Sequence, residues 1–229
     1  MATIQGAVEE AVAAATGQVV TVIGAGRTDT GVHAAGQVIA FDVAWKHSAE
    51  ALLNAINAVL PDDIALQDVA MLGEVVPGER GFHPRFDAVS RVYSYTVHTA
   101  AQRDPLLRHR AWHVRGALDV ALMRQAARLL VGERDFGAFG QPPQGESTVR
   151  SVFRSEWCED APLLIYRVEA NAFLQHMVRR IVGLLVTVGR GAMPLEKFEA
   201  IFASAHIPAG VPLAPPQGLV LEQVKYPGE

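Results

Sequence analysis

The sequence predicts an α+β protein made of two halves, each with its own strands and helices, and a cleft between them. Two observations carry this. The order strand-helix-strand occurs twice along the chain, and a Gly/Pro-rich stretch from Gly73 to Pro84 separates the two occurrences. Strict alternation from Val89 to His98 puts Tyr93, Tyr95 and Val97 on one face and Val92, Ser94 and Thr96 on the other, which is the period of a half-buried strand. At 229 residues the chain is long enough to bury one large core or two small ones.

Taken in order, Ile4 to Ala15 reads as a helix, followed by a short β-rich run, Val19 to Ile23, that breaks at Gly24 and Gly26. After a turn, Gly36 to Val43 reads as a second strand. Ala49 to Leu60 reads as a helix with Leu52, Leu53, Ile56 and Leu60 as its apolar positions and Pro61 as its stop, since proline has no N–H to continue the ladder. A strand is expected over Ile64 to Met71. Beyond the alternating strand, Asp119 can cap a helix running to Val131, because its carboxylate can accept from a free first-turn amide, and Gly132 closes that helix. Phe136 to Glu146 reads as a loop. Two strands rich in β-branched and aromatic residues follow, Val149 to Cys158 and Leu163 to Ala170. Leu174 to Val188 is the most apolar helix, Leu195 to Ala203 a shorter one, and a Pro-rich loop leads to a last strand, Leu219 to Tyr226. The domain boundary is placed between residues 88 and 89, giving an N-terminal α+β domain over 1–88 and a C-terminal one over 89–229.

Composition narrows the function classes. Half the residues are apolar and 19% are charged, and no segment has the run of about 18 uncharged apolar residues that spans a bilayer, so a soluble protein with no membrane partner is expected. Met1 to Glu10 carries no basic region followed by an apolar run, and a cytoplasmic location is expected. Cys158 is the only cysteine, which excludes an internal disulfide, and the eight histidines lack metal-ligand spacing, so no metal is expected. The net charge of −4 argues against nucleic acid, whereas the basic set argues for it. Of 20 basic residues only Lys46, Lys197 and Lys225 are lysines, and the 17 arginines have planar forks that suit phosphates and bases. Codon bias produces the same excess, so composition leaves the partner open.

The densest chemical signal is Gly24-Ala25-Gly26-Arg27-Thr28-Asp29-Thr30-Gly31-Val32-His33-Ala34, directly after a strand. Glycine and aspartate favour surface turns for local reasons, which is the plainest reading. A phosphate-binding loop would want a different glycine spacing, a Lys-Ser/Thr pair and a following helix. Asp29-Thr30-Gly31 is also the tripeptide of aspartic proteases. Their chemistry shares a proton between two carboxylates, and a second Asp-Thr-Gly is absent, so a protease would have to be a symmetric dimer.

The whole stretch, with Gln37 and Val38, resembles the active-site motif of the tRNA pseudouridine synthase A family. The similarity continues through Leu53-Asn54, Leu60-Pro61-Asp62-Asp63-Ile64, Phe82-His83-Pro84-Arg85-Phe86, Arg91-Val92-Tyr93-Ser94-Tyr95, Asp135-Phe136, Ala170-Asn171-Ala172-Phe173-Leu174, Met177-Val178-Arg179, Gly183 and Gly218-Leu219, nearly the full chain. It implies the pseudouridine synthase fold, two antiparallel-sheet halves flanked by helices around a central active-site cleft, and a homodimer that binds tRNA across both subunits. The implied reaction is isomerisation of uridine to pseudouridine at about positions 38 to 40 of the anticodon arm, with no small-molecule cofactor. Such a reaction breaks the glycosidic bond, turns uracil over and rejoins it through C5, so one carboxylate can attack while a neighbour removes the C5 proton.

By the resemblance Asp29 is the nucleophile, at C1′ or at C6. Arg179 lies in the apolar helix, where a buried guanidinium needs a partner. Periodicity permits either an exit to solvent beside Arg180 or a salt bridge to Asp29, and the resemblance favours the pair. Alternation alone makes Tyr93 a core aromatic; the resemblance makes it the residue that packs on the target base, excludes water and helps the proton step. Arg27 is expected to contact RNA and to fill the space of an extruded base, and His33 to make a structural turn hydrogen bond. Arg85, Arg91, Arg150 and Arg180 are candidates for phosphate contact, although an ordinary surface charge is the plainer reading of any one of them. The family's usual opening strand, Tyr-Asp-Gly followed by an aromatic residue and Gly-Trp-Gln, has no counterpart before Ile4, and its lack would expose a sheet edge and weaken tRNA binding. The alternatives carried forward are a catalytically impaired RNA-binding relative and a dimeric aspartic protease.

Overall fold

A computed structural model describes residues 3–73, 80–142, 145 and 147–228. In chain order the elements are α1 (Ile4–Thr16), β1 (Ile23–Gly24), β2 (His33–Ala34), β3 (Ile39–Ala40), α2 (Ala49–Asn57), β4 (Ser90–His98), β5 (Trp112–His113), α3 (Val120–Arg128), β6 (Gly132–Asp135), β7 (Val149–Asp160), β8 (Leu163–Ala170), α4 (Met177–Gly189), α5 (Leu195–Ala203) and β9 (Leu219–Lys225). The protein is α+β. It divides into two compact units, Met1–Gly26 with Val38–Asp87, and Arg27–Gln37 with Ala88–Glu229.

The first unit packs α1 against α2 around Val8, Val12, Val22, Leu52 and Ile56. Thr3 caps α1 by accepting from Gly6 N (3.0 Å), and Ser48 caps α2 by accepting from Ala51 N (3.2 Å), each filling one of the free amides of a helix start. The expected strands shrink here. Val19 to Ile23 is reduced to Ile23–Gly24, and Gly36 to Val43 to Ile39–Ala40, joined by Ile23↔Ala40 and Gly24↔Ile39. Ile64 to Met71 is not a strand. The physical reason is that side chains take the place of ladder partners. Gln18 clamps the backbone of Ala44 through both ends of its amide (2.8 and 2.9 Å), Asn57 clamps Leu66 in the same way (2.8 Å each), and Glu9 accepts from Val22 N (3.0 Å). Once those groups are satisfied, no neighbouring strand is needed at those positions. Helix α2 stops at Asn57, three residues before Leu60, and the chain continues as a turn in which Val59 N and Leu60 N both donate to Ile56 O. Gly73 to Pro84, expected as the linker, lies in part outside the described residues.

The second unit is a seven-stranded mixed sheet in the order β2-β9-β4-β8-β7-β6, with β5 on β4. The β2–β9 and β4–β5 pairings are parallel and the others antiparallel. Tyr95, Val97, Trp157, Tyr166 and Val168 from the sheet meet Met123 and Leu130 of the α3 region, Ile181, Leu184, Leu185 and Val188 of α4, and Phe198 of α5. Tyr95 and Tyr166 are fully buried, and each hydroxyl is satisfied, by Pro215 O (2.8 Å) and Ser155 Oγ (2.7 Å). Asp119 caps α3 as expected, accepting from Leu122 N (2.9 Å). The predicted strand Leu163–Ala170 and helix Leu195–Ala203 are found with those bounds. The apolar helix begins at Met177 and not at Leu174, because His176 takes a left-handed backbone (φ 64).

Candidate active site

The segment carrying Asp29 leaves the first unit between β1 and β3 and joins the second as the short strand β2. His33 pairs with Val220 and Ala34 with Leu221, and Ala35 N and Gly36 N both donate to Leu221 O (2.9 and 3.1 Å). Two glycines permit this. Gly31 has φ 83, open to glycine with little strain, in a tight turn where Val32 N donates to Asp29 O (3.0 Å). Gly36 lies so close to β9 that a Cβ there would come within 2.2 Å of Glu222 O.

On this fixed turn the Asp29 carboxylate meets two side chains from the start of α4. Arg179 Nη1 donates to Oδ2 at 2.6 Å, and His176 Nε2 lies 3.5 Å from Oδ1. The Asp29–Arg179 pair expected from the sequence therefore forms across 150 residues of chain. Arg179 is 11% exposed and Asp29 25%, so the pair is largely shielded while the carboxylate keeps a path to solvent. Arg179 is fixed by its other end as well: Nε donates to Ala214 O (2.8 Å), and Ala214 N donates to Arg179 O (3.1 Å). The loop holding Ala214 is tied in turn by the Tyr95 hydroxyl on Pro215 O. A guanidinium with two satisfied edges is a rigid platform for a carboxylate, which a lysine could not reproduce.

Tyr93 lies on β4, edge-on to Phe173 with ring centroids 5.0 Å apart. Burial pushes its phenol up to about 12; Arg91 pulls it down, and the Asp29 carboxylate adds to the rise. The phenol is thus neutral at ordinary pH and within electrostatic reach of Asp29. Arg27, two residues before Asp29, is exposed. His33 Nε2 contacts His109 O at 2.5 Å, a structural hydrogen bond of β2.

Of the four arginines proposed for phosphate contact, Arg91, Arg150 and Arg180 stand in the second unit and donate to backbone carbonyls. Arg91 Nη1 donates to Asn171 O (2.8 Å) and Ala88 O (3.3 Å). Arg150 Nη1 donates to Val149 O (2.6 Å) and Ser147 O (3.0 Å), and burial lowers its pKa. Arg180 Nη1 donates to Phe139 O (3.1 Å) and Gln175 O (3.2 Å), with burial first and Arg179 second lowering its pKa. Arg85 stands in the first unit with its guanidinium 5.9 Å from the centre of the Phe86 ring. Among the described residues no group of three or more His, Cys, Asp or Glu side chains forms a metal-ligand cluster, and no helix is long and apolar enough to cross a membrane. His176 is the site residue that sequence reading missed. A signal existed: it stands three residues before Arg179 at a helix start, a spacing that puts two side chains on one face.

A carboxylate held at 2.6 Å by a guanidinium, with a partly buried neutral phenol in electrostatic reach, has the chemistry needed for attack by a single carboxylate, and among the described residues of this chain no second carboxylate pairs with it. Comparison with known proteins identifies the family. The family model described as tRNA pseudouridine synthase matches residues 1–87 and 126–227. The chain is 45% identical to tRNA pseudouridine synthase A of Chloroflexus aurantiacus, over 98% of this chain and 81% of that protein. It is 43% identical to the protein of that name from Geobacter sulfurreducens (97% and 89% covered) and 43% to that from Neisseria gonorrhoeae (99% and 83%). The chain belongs to the tRNA pseudouridine synthase family.

Proposed function

We propose that this protein isomerises uridine to pseudouridine in tRNA, with Asp29 as the attacking carboxylate. The observation that carries the reading is the Asp29–Arg179 pair, built from the family's signature segment and held rigidly at both ends. Attack occurs at C1′ of the ribose or C6 of the base. By either route the C1′–N1 bond breaks, a C1′–C5 bond forms, C5 gives up its proton and N1 ends protonated. Nothing is oxidised and no group leaves, so the reaction asks for no cofactor. Arg179 orients the carboxylate. Tyr93, neutral up to about pH 12, packs on the base, excludes water and assists the proton step.

Arg27, exposed beside the nucleophile, contacts the RNA and occupies the place of the flipped nucleotide. Arg85, Arg91, Arg150 and Arg180 add phosphate contacts, as their planar, doubly donating forks suit. Membership of the family supports the finer reading: an N-terminal half over residues 1–88 that lends Arg27–Gln37 to a C-terminal half over 89–229, mainly antiparallel sheets flanked by helices, a homodimer, action in the anticodon arm and a cytoplasmic location.

The test is release of tritium from tRNA labelled at uridine C5, comparing the parent with Asp29→Asn in metal-free buffer. The parent is expected to release the label and the variant to release none. Release by both would sink Asp29 as nucleophile. Release by neither, with tRNA still retarded on a gel, would leave an RNA-binding relative without the activity.

A further inference from the structure

We propose that His176 is a positioning residue for Asp29, held in a strained turn so that its imidazole faces the carboxylate oxygen that Arg179 leaves free. The inference rests on reading Asp29 as the attacking carboxylate.

His176 has φ 64, and Ala205 is the only other non-glycine residue with positive φ among those described. Side-chain-bearing residues are uncommon in this region, Asn, Asp and His less so than others, and they persist in it where surrounding structure over-determines them, often at functional sites. The surroundings are specific here. Gln175 N donates to Gln141 O (2.9 Å), and Arg180 Nη1 donates to Gln175 O (3.2 Å) and Phe139 O (3.1 Å). Arg180 N donates to His176 O (3.0 Å). Gly140 approaches so closely that a Cβ on it would come within 2.6 Å of Gln175 O. The turn is clamped from Gly140–Gln141 on one side and from α4 on the other.

Neither local role of this position asks for histidine. Glycine would adopt the left-handed backbone with less strain, and serine or aspartate would cap the helix, whereas His176 makes no side-chain cap hydrogen bond. What the imidazole does reach is Asp29, with Nε2 3.5 Å from Oδ1. That separation is long for a hydrogen bond, and catalytic contacts of this kind shorten when substrate fills the site. With Arg179 on Oδ2 and His176 on Oδ1, both oxygens are addressed and the carboxylate plane is fixed, which matters for a nucleophile that must meet one carbon in one direction.

The experiment compares His176→Gly with the parent, on the full chain with tRNA labelled at uridine C5, and runs Asp29→Asn alongside. We expect the glycine variant to melt at a higher temperature because the strain is gone. Its kcat should be about 10- to 100-fold lower with KM unchanged, and added imidazole should restore part of the rate. Unchanged kcat would overturn the proposal. A raised KM with unchanged kcat would place His176 on the RNA instead, and also overturn it. A lowered melting temperature would mean that the turn is not strained and would overturn it too, with His176→Asn, which also tolerates positive φ, as the confirming variant. An active Asp29→Asn protein would defeat the nucleophile reading itself, a result distinct from an active His176→Gly protein beside an inactive Asp29→Asn one.

Discussion

Replacing Arg179 by methionine keeps the apolar stem and removes the guanidinium. The side chain is 11% exposed, and two hydrogen bonds go with it, to Asp29 Oδ2 at 2.6 Å and to Ala214 O at 2.8 Å. Removing one partner of a fully buried ion pair costs about 3–5 kcal/mol. Asp29 keeps a quarter of its surface in water, which reduces that term to about 2 kcal/mol. The orphaned Ala214 carbonyl adds about 1 kcal/mol. The expected loss is about 3 kcal/mol, a fall in Tm of roughly 6–12 °C for a chain of this length. Arg179→Lys keeps the charge and one of the two bonds, and should lose about half as much. Urea unfolding followed by tryptophan fluorescence reads the stability of Arg179→Met, Asp29→Asn and the double variant, and tritium release reads activity. The double variant should be more stable than the sum of the single losses predicts, by about 1–2 kcal/mol, because each single change leaves a charge without its partner. Additivity within about 0.5 kcal/mol would refute the coupling and with it the account of how Asp29 is held.

Tyr93→Phe keeps the edge contact with Phe173 and should leave stability within about 0.5 kcal/mol while lowering kcat about 100-fold; an unchanged rate would remove the phenol from the proton step. Gly36→Ala brings a Cβ to 2.2 Å from Glu222 O, so β2 must shift off β9; a loss of about 2–3 kcal/mol is expected, with activity falling alongside, whereas Gly73→Ala, which meets nothing within 4 Å, should be silent in the same unfolding assay. At alkaline pH the sign follows from the buried phenols. Tyr93 is raised from 10.0 to about 12, and Tyr95 and Tyr166 are pushed further up, all by burial. Their contribution to stability is complete below the unfolded value near 10 and is lost as pH rises through about 12, so the urea midpoint should fall over that window, less steeply in Tyr166→Phe. Arg27→Ala should weaken tRNA binding and reduce the salt slope by about one without changing Tm, whereas Arg180→Ala, which also loses its bonds to Phe139 O and Gln175 O, should lower Tm as well.

What was legible in the sequence follows from where local patterns decide the structure. Leu163–Ala170 and Leu195–Ala203 were readable because alternation in one and helical periodicity in the other agree with burial. Asp119 was readable because a cap is a local interaction. The strand expected at Ile64 to Met71 was not, because the amide of Asn57 satisfies Leu66 in place of a neighbouring strand, and composition alone does not report such a clamp. Strand β6, Gly132–Asp135, went unread because its four exposed residues, Gly-Glu-Arg-Asp, show no apolar alternation; the register of β7 imposes it. The start of α4 was misplaced by three residues because Leu174-Gln175-His176 continues an apolar helical pattern, while the left-handed His176 is imposed by Gly140, Gln141 and Arg180 from elsewhere in the chain. The Asp29–Arg179 pair lay between these cases. Periodicity left Arg179 free to face solvent, and family resemblance was needed to join two residues so far apart.

That distance explains how the site is assembled. Asp29 comes from a segment that leaves the first unit and takes its place by pairing with β9, the last strand of the chain, which itself runs beside β4, the strand of Tyr93. Arg179 comes from α4 and is steadied by the loop just before β9, through Ala214 and through Pro215 on Tyr95. The turn of Asp29, the loop that steadies Arg179 and the strand of Tyr93 therefore all converge on the segment from Ala214 to Lys225. Gly36 and Gly218 mark how tightly that segment is gripped, since a Cβ at Gly36 would meet Glu222 O at 2.2 Å and one at Gly218 would meet the Tyr95 ring at 2.8 Å. A glycine at each of these two positions is thus a requirement of bringing the three side chains to one place, and the chemistry of the carboxylate depends on backbone contacts that carry no chemistry themselves.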